Sequence, residues 1–175
     1  MKKLLIGILL LVFTSLANAS TLNCDSVSCT SSNGGGSIID IGASVYLSAN
    51  QSTSSGVWTT VGLNTEIFDT GSNFNTGTFT YTFSTAGKYR ISASVQFASN
   101  GTGVRRGRLN KNSGTIIKID YTDSGSEDIS DVTFSHDDTF AVNDTLVLQS
   151  FQDTGTLNVL GTVGASTLAI RYIGQ

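Results

Sequence analysis

From Ile38 onward, apolar and polar positions alternate with a period of two in one short run after another. The clearest runs lie between Phe68 and Phe97. Phe79, Tyr81 and Phe83 are separated by Thr80 and Thr82; Tyr89, Ile91, Ala93, Val95 and Phe97 then alternate with Arg90, Ser92, Ser94 and Gln96. Successive side chains of a strand point to opposite faces, so this spacing predicts two half-buried strands. A helix would scatter the same aromatics around its circumference. The short link ending in Gly87 predicts a tight antiparallel connection between the two strands. Further runs predict strands over 44–49, 58–63, 104–110, 115–121, 129–140, 145–151, 156–160 and 167–173. Between them stand Asn100-Gly101, Asn112-Ser113-Gly114, Asp123-Ser124-Gly125 and Asn143-Asp144. These residues tolerate positive φ or form Asx turns. No window sustains a helical period. About ten short strands at this spacing predict an all-β, antiparallel two-sheet sandwich or jelly roll over 38–175. Abundant Thr and Val, with 13% charged residues, fit it.

The first residues follow a different pattern. Lys2 and Lys3 precede an apolar run from Leu4 to Phe13, and Ala17-Asn18-Ala19 precedes Ser20. This is the pattern of a secretory signal over 1–19, bacterial in style, with an apolar run too short for a membrane anchor. Its removal leaves about 156 residues, enough for one ordinary domain. The expected location is extracellular or periplasmic, with no membrane insertion after cleavage. The whole chain has 10 Lys and Arg against 13 acids. Without Lys2 and Lys3 the basic count falls to 8 and the net charge to about −5, which argues against nucleic acid as a partner. Residues 20–37 form a cysteine-containing segment and a Ser/Gly linker with Gly34-Gly35-Gly36 at its centre. Cys24 and Cys29 are the only cysteines. In an oxidising compartment they form either a small local disulfide or bridges between chains. Two thiols with no neighbouring His give too few ligands for zinc.

A family resemblance is carried by Phe68-Asp69, Phe74, Gly77-Thr78-Phe79 and Gly87-Lys88-Tyr89-Arg90-Ile91. Asn143-Asp144-Thr145-Leu146-Val147-Leu148 and the C-terminal Ser166 to Gly174 extend it, as does Arg108-Leu109-Asn110-Lys111-Asn112, where Ser113 replaces the usual Gly. In these spacings the chain resembles the globular head of the complement C1q family, which shares its fold with tumour necrosis factor. The chain departs from the pattern in having no proline, where relatives usually carry one before the Gly-x-Tyr. The resemblance implies a jelly roll, a homotrimer closed through an aromatic-rich side, and recognition or adhesion without catalysis. It also implies calcium near one end in some members.

Chemistry-bearing residues are few. His136 is the only histidine; Asp137 and Asp138 adjoin it, but neighbours on a strand face opposite ways, and no Gly-x-Ser-x-Gly occurs. Asp123, Glu127, Asp128, Asp137 and Asp138 are the carboxylates that calcium would draw on, though no EF-hand spacing links them, and solvated loops between strands are the simpler account. No other cofactor is implied. Arg105, Arg106 and Arg108 form the opposite patch, with Arg106 and Arg108 sharing a strand face. They suit an anionic glycan or the acidic loops of a neighbouring subunit. Trp58, the sole tryptophan, suits sugar stacking or an anchor in the core or an interface. The leading reading is a secreted, non-enzymatic recognition or structural module with a protein or glycan ligand. The alternative is an extracellular carbohydrate-binding domain or a polysaccharide-active enzyme on a β-sandwich.

Overall fold

A computed structural model describes the backbone of residues 22–24, 28–31, 38–123 and 128–175, and side chains from 40 onward within those ranges. The expected signal over 1–19 and part of the 20–37 segment, including Gly34-Gly35-Gly36, lie outside the described residues.

Three short strands come first: β1 (Leu22–Cys24), β2 (Ser28–Ser31) and β3 (Ile38–Ile39), which form their own antiparallel sheet. Thr30 and Ser31 thus belong to a strand, where a linker is expected. The β1–β2 register sets Cys24 opposite Cys29. The main body follows: β4 (Gly42–Tyr46), β5 (Gln51–Ser54), β6 (Thr59–Thr60), β7 (Thr65–Thr70), β8 (Phe74–Asn75), β9 (Thr80–Thr82), β10 (Gly87–Phe97) and β11 (Val104–Lys111). It ends with β12 (Thr115–Asp123), β13 (Ser130–Phe140), β14 (Thr145–Gln152), β15 (Thr156–Val159) and β16 (Thr167–Gly174).

Two sheets divide these strands. One runs β5-β15-β10-β16-β4-β7, with β13 on the other side of β10; the second runs β12-β11-β14-β9-β8, with β6 also against β14. All the pairings are antiparallel. The fold is the expected all-β two-sheet jelly roll.

The alternation in the sequence sets which side of each strand is buried. On β10, Tyr89, Ile91, Ala93, Val95 and Phe97 are buried while Lys88, Arg90 and Ser92 are exposed. Between the sheets, Tyr81, Phe83, Tyr89, Phe97 and Phe140 join Leu63, Leu109, Leu146, Leu148 and Leu168 in one core. Phe83 is its hub: it stacks on Phe140 at 3.7 Å between ring centroids and meets Tyr81 and Tyr89 edge-on at 4.9 and 4.7 Å. Burial pushes the Tyr89 hydroxyl up to about 12, the charge of the nearby Tyr172 phenolic group being the second cause.

The expected hairpin between the Phe79–Phe83 and Tyr89–Phe97 runs does not form. β9 pairs with β14 and β8, whereas β10 pairs with β13 and β16 in the opposite sheet. The link through Ser84 to Ala86 crosses from one sheet to the other, so the two runs face each other through their rings. Phe79 itself has φ +57 and is only partly buried against the core.

The Asn143-Asp144 turn closes one end. Asp144 accepts the Asn112 side-chain amide at 2.7 Å and the Ala141 N–H at 2.9 Å, and Lys111 Nζ lies 3.1 Å away. These groups hold the Asp144 carboxyl below the usual carboxylate range, the Asn112 hydrogen bond contributing most. Its stabilising contribution is therefore complete above about pH 4, the unfolded value, and is lost as pH falls through the lower folded value. Asp144→Asn is expected to weaken the fold at neutral pH and to flatten its loss of stability on acidification. Urea denaturation at several pH values checks this; parallel acid profiles for the two proteins would contradict it.

Candidate functional site

The outward face of the second sheet gathers the unusual side chains. On β11, Arg105, Gly107 and Leu109 turn inward and are buried, which turns Arg106 and Arg108 outward. On β14, Leu146, Leu148, Ser150 and Gln152 are buried, leaving Gln149 and Phe151 on the outer side. The register places Arg108 opposite Gln149 and Arg106 opposite Phe151. On the other side of β14, Thr60 pairs with Gln149, which carries Trp58 onto the same face.

A ladder of rings and guanidinium groups results. Arg108 Cζ lies 4.0 Å from the Trp58 ring centroid, Trp58 and Phe151 are 5.3 Å apart and tilted by 41°, and Arg106 Cζ lies 5.3 Å from Phe151. Such stacking is worth about 0.5–2 kcal/mol per cation, depending on its desolvation. It also leaves the edge N–H donors of a planar guanidinium free to fork onto a planar anion. Arg108 Nε donates to Gln149 Oε1 at 2.8 Å, Asn110 Nδ2 donates to the same oxygen at 3.3 Å, and Gln149 Nε2 reaches Thr60 Oγ1 at 3.5 Å. Asn110 Oδ1 is buried beside this network with no hydrogen-bond partner. Desolvation holds the Arg108 pKa below its ordinary value, yet an arginine stays charged. On β12 the register adds Tyr121 beside Arg106 and Ile119 beside Arg108, 67% and 48% exposed.

The ion pairs among the described residues are Arg90–Asp137, Lys111–Asp138, Lys111–Asp144 and Lys118–Asp120, so none of them engages Arg106 or Arg108. Asp123 shares their side of β12, opposite Val104 and diagonal to Arg106, but makes no ion pair with it.

Arg105, grouped with these two as a binding candidate, is instead wholly buried. Its Nη1 and Nη2 donate to the Val104 and Asn100 carbonyls at 3.2 Å, and its Nε has no partner. Strand alternation accounts for the separation, since odd and even positions face opposite ways. Burial lowers its pKa, and no ligand reaches it from outside.

Among the described residues the calcium candidates do not form a group of three. Asp137 forms a two-pronged pair with Arg90 at 2.9 and 3.0 Å, which lowers its pKa through that hydrogen bond. Asp138 lies 3.9 Å from Lys111 and accepts the Thr139 N–H. Asp123 and Asp128 are exposed, and Glu127 lies outside the described residues. No group of three His, Cys, Asp or Glu suited to a metal occurs among the described residues. His136 and Asp138 share one side of β13 and Asp137 takes the other.

The other sheet presents a contrasting outer face. Ser92 and Ser94 of β10, Thr133 and Ser135 of β13, and Thr167 and Ala169 of β16 line a shallow, open surface. Tyr46 and Phe68 flank it, and Arg171 Cζ lies 5.3 Å over the Phe68 ring.

No protein-family model matches the sequence, and no curated protein matches it either. Solved structures do match the fold. Eiger TNF from S. frugiperda superposes with a TM-score of 0.64 at 9% identity, covering 78% of this chain and 94% of the other. The globular domain of zebrafish complement 1qA gives 0.55 at 14% identity, over 77% and 98%. The fold is the C1q/TNF jelly roll. Murine APRIL at pH 8.5 is a further match, with a TM-score of 0.57, 12% identity and coverage of 75% and 99%. At these identities the likeness concerns the fold alone. No helix among the described residues is long and apolar enough to cross a membrane.

Proposed function

We propose that this chain is a secreted, non-enzymatic recognition or adhesion module that works as a homotrimer. The observation that carries this reading is the contrast between its two outer faces. The β10–β13–β16 face is small and shallow, and Arg90 at its end is already matched by Asp137. Such a surface suits self-association, because small side chains allow close approach and little charge must be desolvated. The β11–β14–β6 face instead offers two arginines with no ion pair among the described residues, which suits a ligand. The C1q/TNF-like fold supports the same assignment, because loops and faces on a rigid sandwich are where binding resides.

An aromatic-rich contact, as the family resemblance implies, is not what this surface offers. Most rings lie in the core or on the ladder; Phe134 is among the residues lining the small-residue face, and Tyr46 and Phe68 flank it. The bridge between Cys24 and Cys29 is assigned within one chain, supported by their opposed register in β1 and β2.

Light scattering on the signal-free protein should give the mass of three chains, and a non-reducing gel of the same sample a single chain. Ala169→Arg, which sets a charge in the middle of the small-residue face, should reduce the assembly to monomers that remain folded by circular dichroism. A monodisperse wild-type monomer would refute the trimer.

A further inference from the structure

We propose that the β11–β14–β6–β12 face binds an anionic polysaccharide, its carboxylate or sulfate groups held by Arg106 and Arg108. The inference deepens the recognition reading and rests on it. Three observations favour this occupant. First, two guanidinium groups lie over aromatic rings, Arg106 5.3 Å from the Phe151 centroid and Arg108 4.0 Å from the Trp58 centroid, and no ion pair among the described residues occupies them. An arginine pre-ordered by stacking loses less entropy when it forks onto a planar anion. Second, the chemistry between the cations is suited to sugars. Tyr121 offers an open ring, while Gln149 and Thr60 offer amide and hydroxyl groups. Sugar rings present apolar C–H faces and hydroxyl edges, which such a mixture matches. Third, β11 lies in mid-sheet, paired along its length by β12 on one side and β14 on the other. Its backbone groups are therefore committed, and a peptide laid across it gains no strand-to-strand hydrogen bonds, the usual source of affinity for an added strand.

The single tryptophan provides the readout, because Trp58 lies against Arg108 within the face. Titration of the folded, signal-free protein with heparin and with polygalacturonate should change Trp58 fluorescence. The change should weaken as salt is raised. Which of the two binds more tightly tells sulfate from carboxylate, and either answer supports the inference. Calorimetry, independent of Trp58, should show Arg106→Gln and Arg108→Gln each weakening binding by about tenfold or more. Lys88→Gln, on the opposite sheet, should bind as wild type does. Circular dichroism confirms that each variant is folded.

Binding of neither polysaccharide overturns the proposal, as does equal binding of neutral dextran. Polyglutamate binding as tightly as both polysaccharides also overturns it, by pointing to an acidic protein partner. Light scattering on the same samples reports the trimer separately, so loss of the glycan reading and loss of the assembly are read by different measurements.

Discussion

Replacing Phe83 by alanine is expected to lower the stability of this protein by about 3–5 kcal/mol, the cost of emptying a large buried aromatic site. Phe83 is wholly buried and contacts three other rings, one of them stacked at 3.7 Å. Its position explains the size of the effect. It follows directly on β9 of one sheet, while Tyr89 and Phe140 belong to β10 and β13 of the other. The cavity would open between the sheets, where Leu146 and Tyr81 are fixed by strand pairing and cannot collapse into it. Phe68→Ala is the control: that ring is half-buried on the outer side, beneath Arg171, and its loss should cost far less. Urea denaturation of both variants measures the difference. A Phe83→Ala midpoint equal to wild type would mean that the sandwich does not depend on this ring cluster.

The same residue shows what was legible in the sequence. The period-two spacing placed Phe79, Phe83, Tyr89, Ile91, Val95 and Phe97 in the core or at subunit contacts; all are buried except Phe79, which is only partly so. Alternation reports which face a side chain takes, because the pleat has a period of two. It does not report which strand lies alongside. Phe83 and Tyr89 therefore looked like neighbours in a hairpin, although they meet across the core from opposite sheets. A short polar link is compatible with both arrangements, and only the long-range pairing of β10 with β13 and β16 distinguishes them.

The candidate site was partly legible for the same reason. Arg106 and Arg108 fall on one strand face by counting, and Trp58 stands out by being alone. Nothing local joins Trp58 to Arg108, because the link runs through the pairing of β6 with β14 and of β14 with β11. Phe151, Gln149 and Tyr121 enter the face by the same pairings. Arg105 was unreadable in another sense: an arginine on the inward side of a strand contradicts its polarity, and the Val104 and Asn100 carbonyls, the Phe97 ring and the Asp153 charge account for it there.

Gly87→Ala should also be strongly destabilising, by about 2–5 kcal/mol when positive-φ strain and overpacking combine. In the sequence this glycine reads as the residue that makes a turn. In the structure it is the buried first residue of β10, at φ +150, opposite Phe140. An added Cβ would lie 2.5 Å from the Tyr172 ring and 2.7 Å from the Gly174 carbonyl oxygen. Neither can yield cheaply. Tyr172 is packed edge-on against Tyr89 at 5.2 Å, and Gly174 is paired with Lys88 just beyond a bulge. The methyl group would therefore push the end of β16 off β10. Gly56 separates the two contributions: it has φ +73 with nothing within 4 Å of its Cβ position, so Gly56→Ala carries backbone strain alone. Denaturation midpoints should fall well below wild type for Gly87→Ala and only slightly for Gly56→Ala. Equal losses at the two sites would show that backbone strain, and not contact with the C-terminal strand, is what selects glycine at position 87.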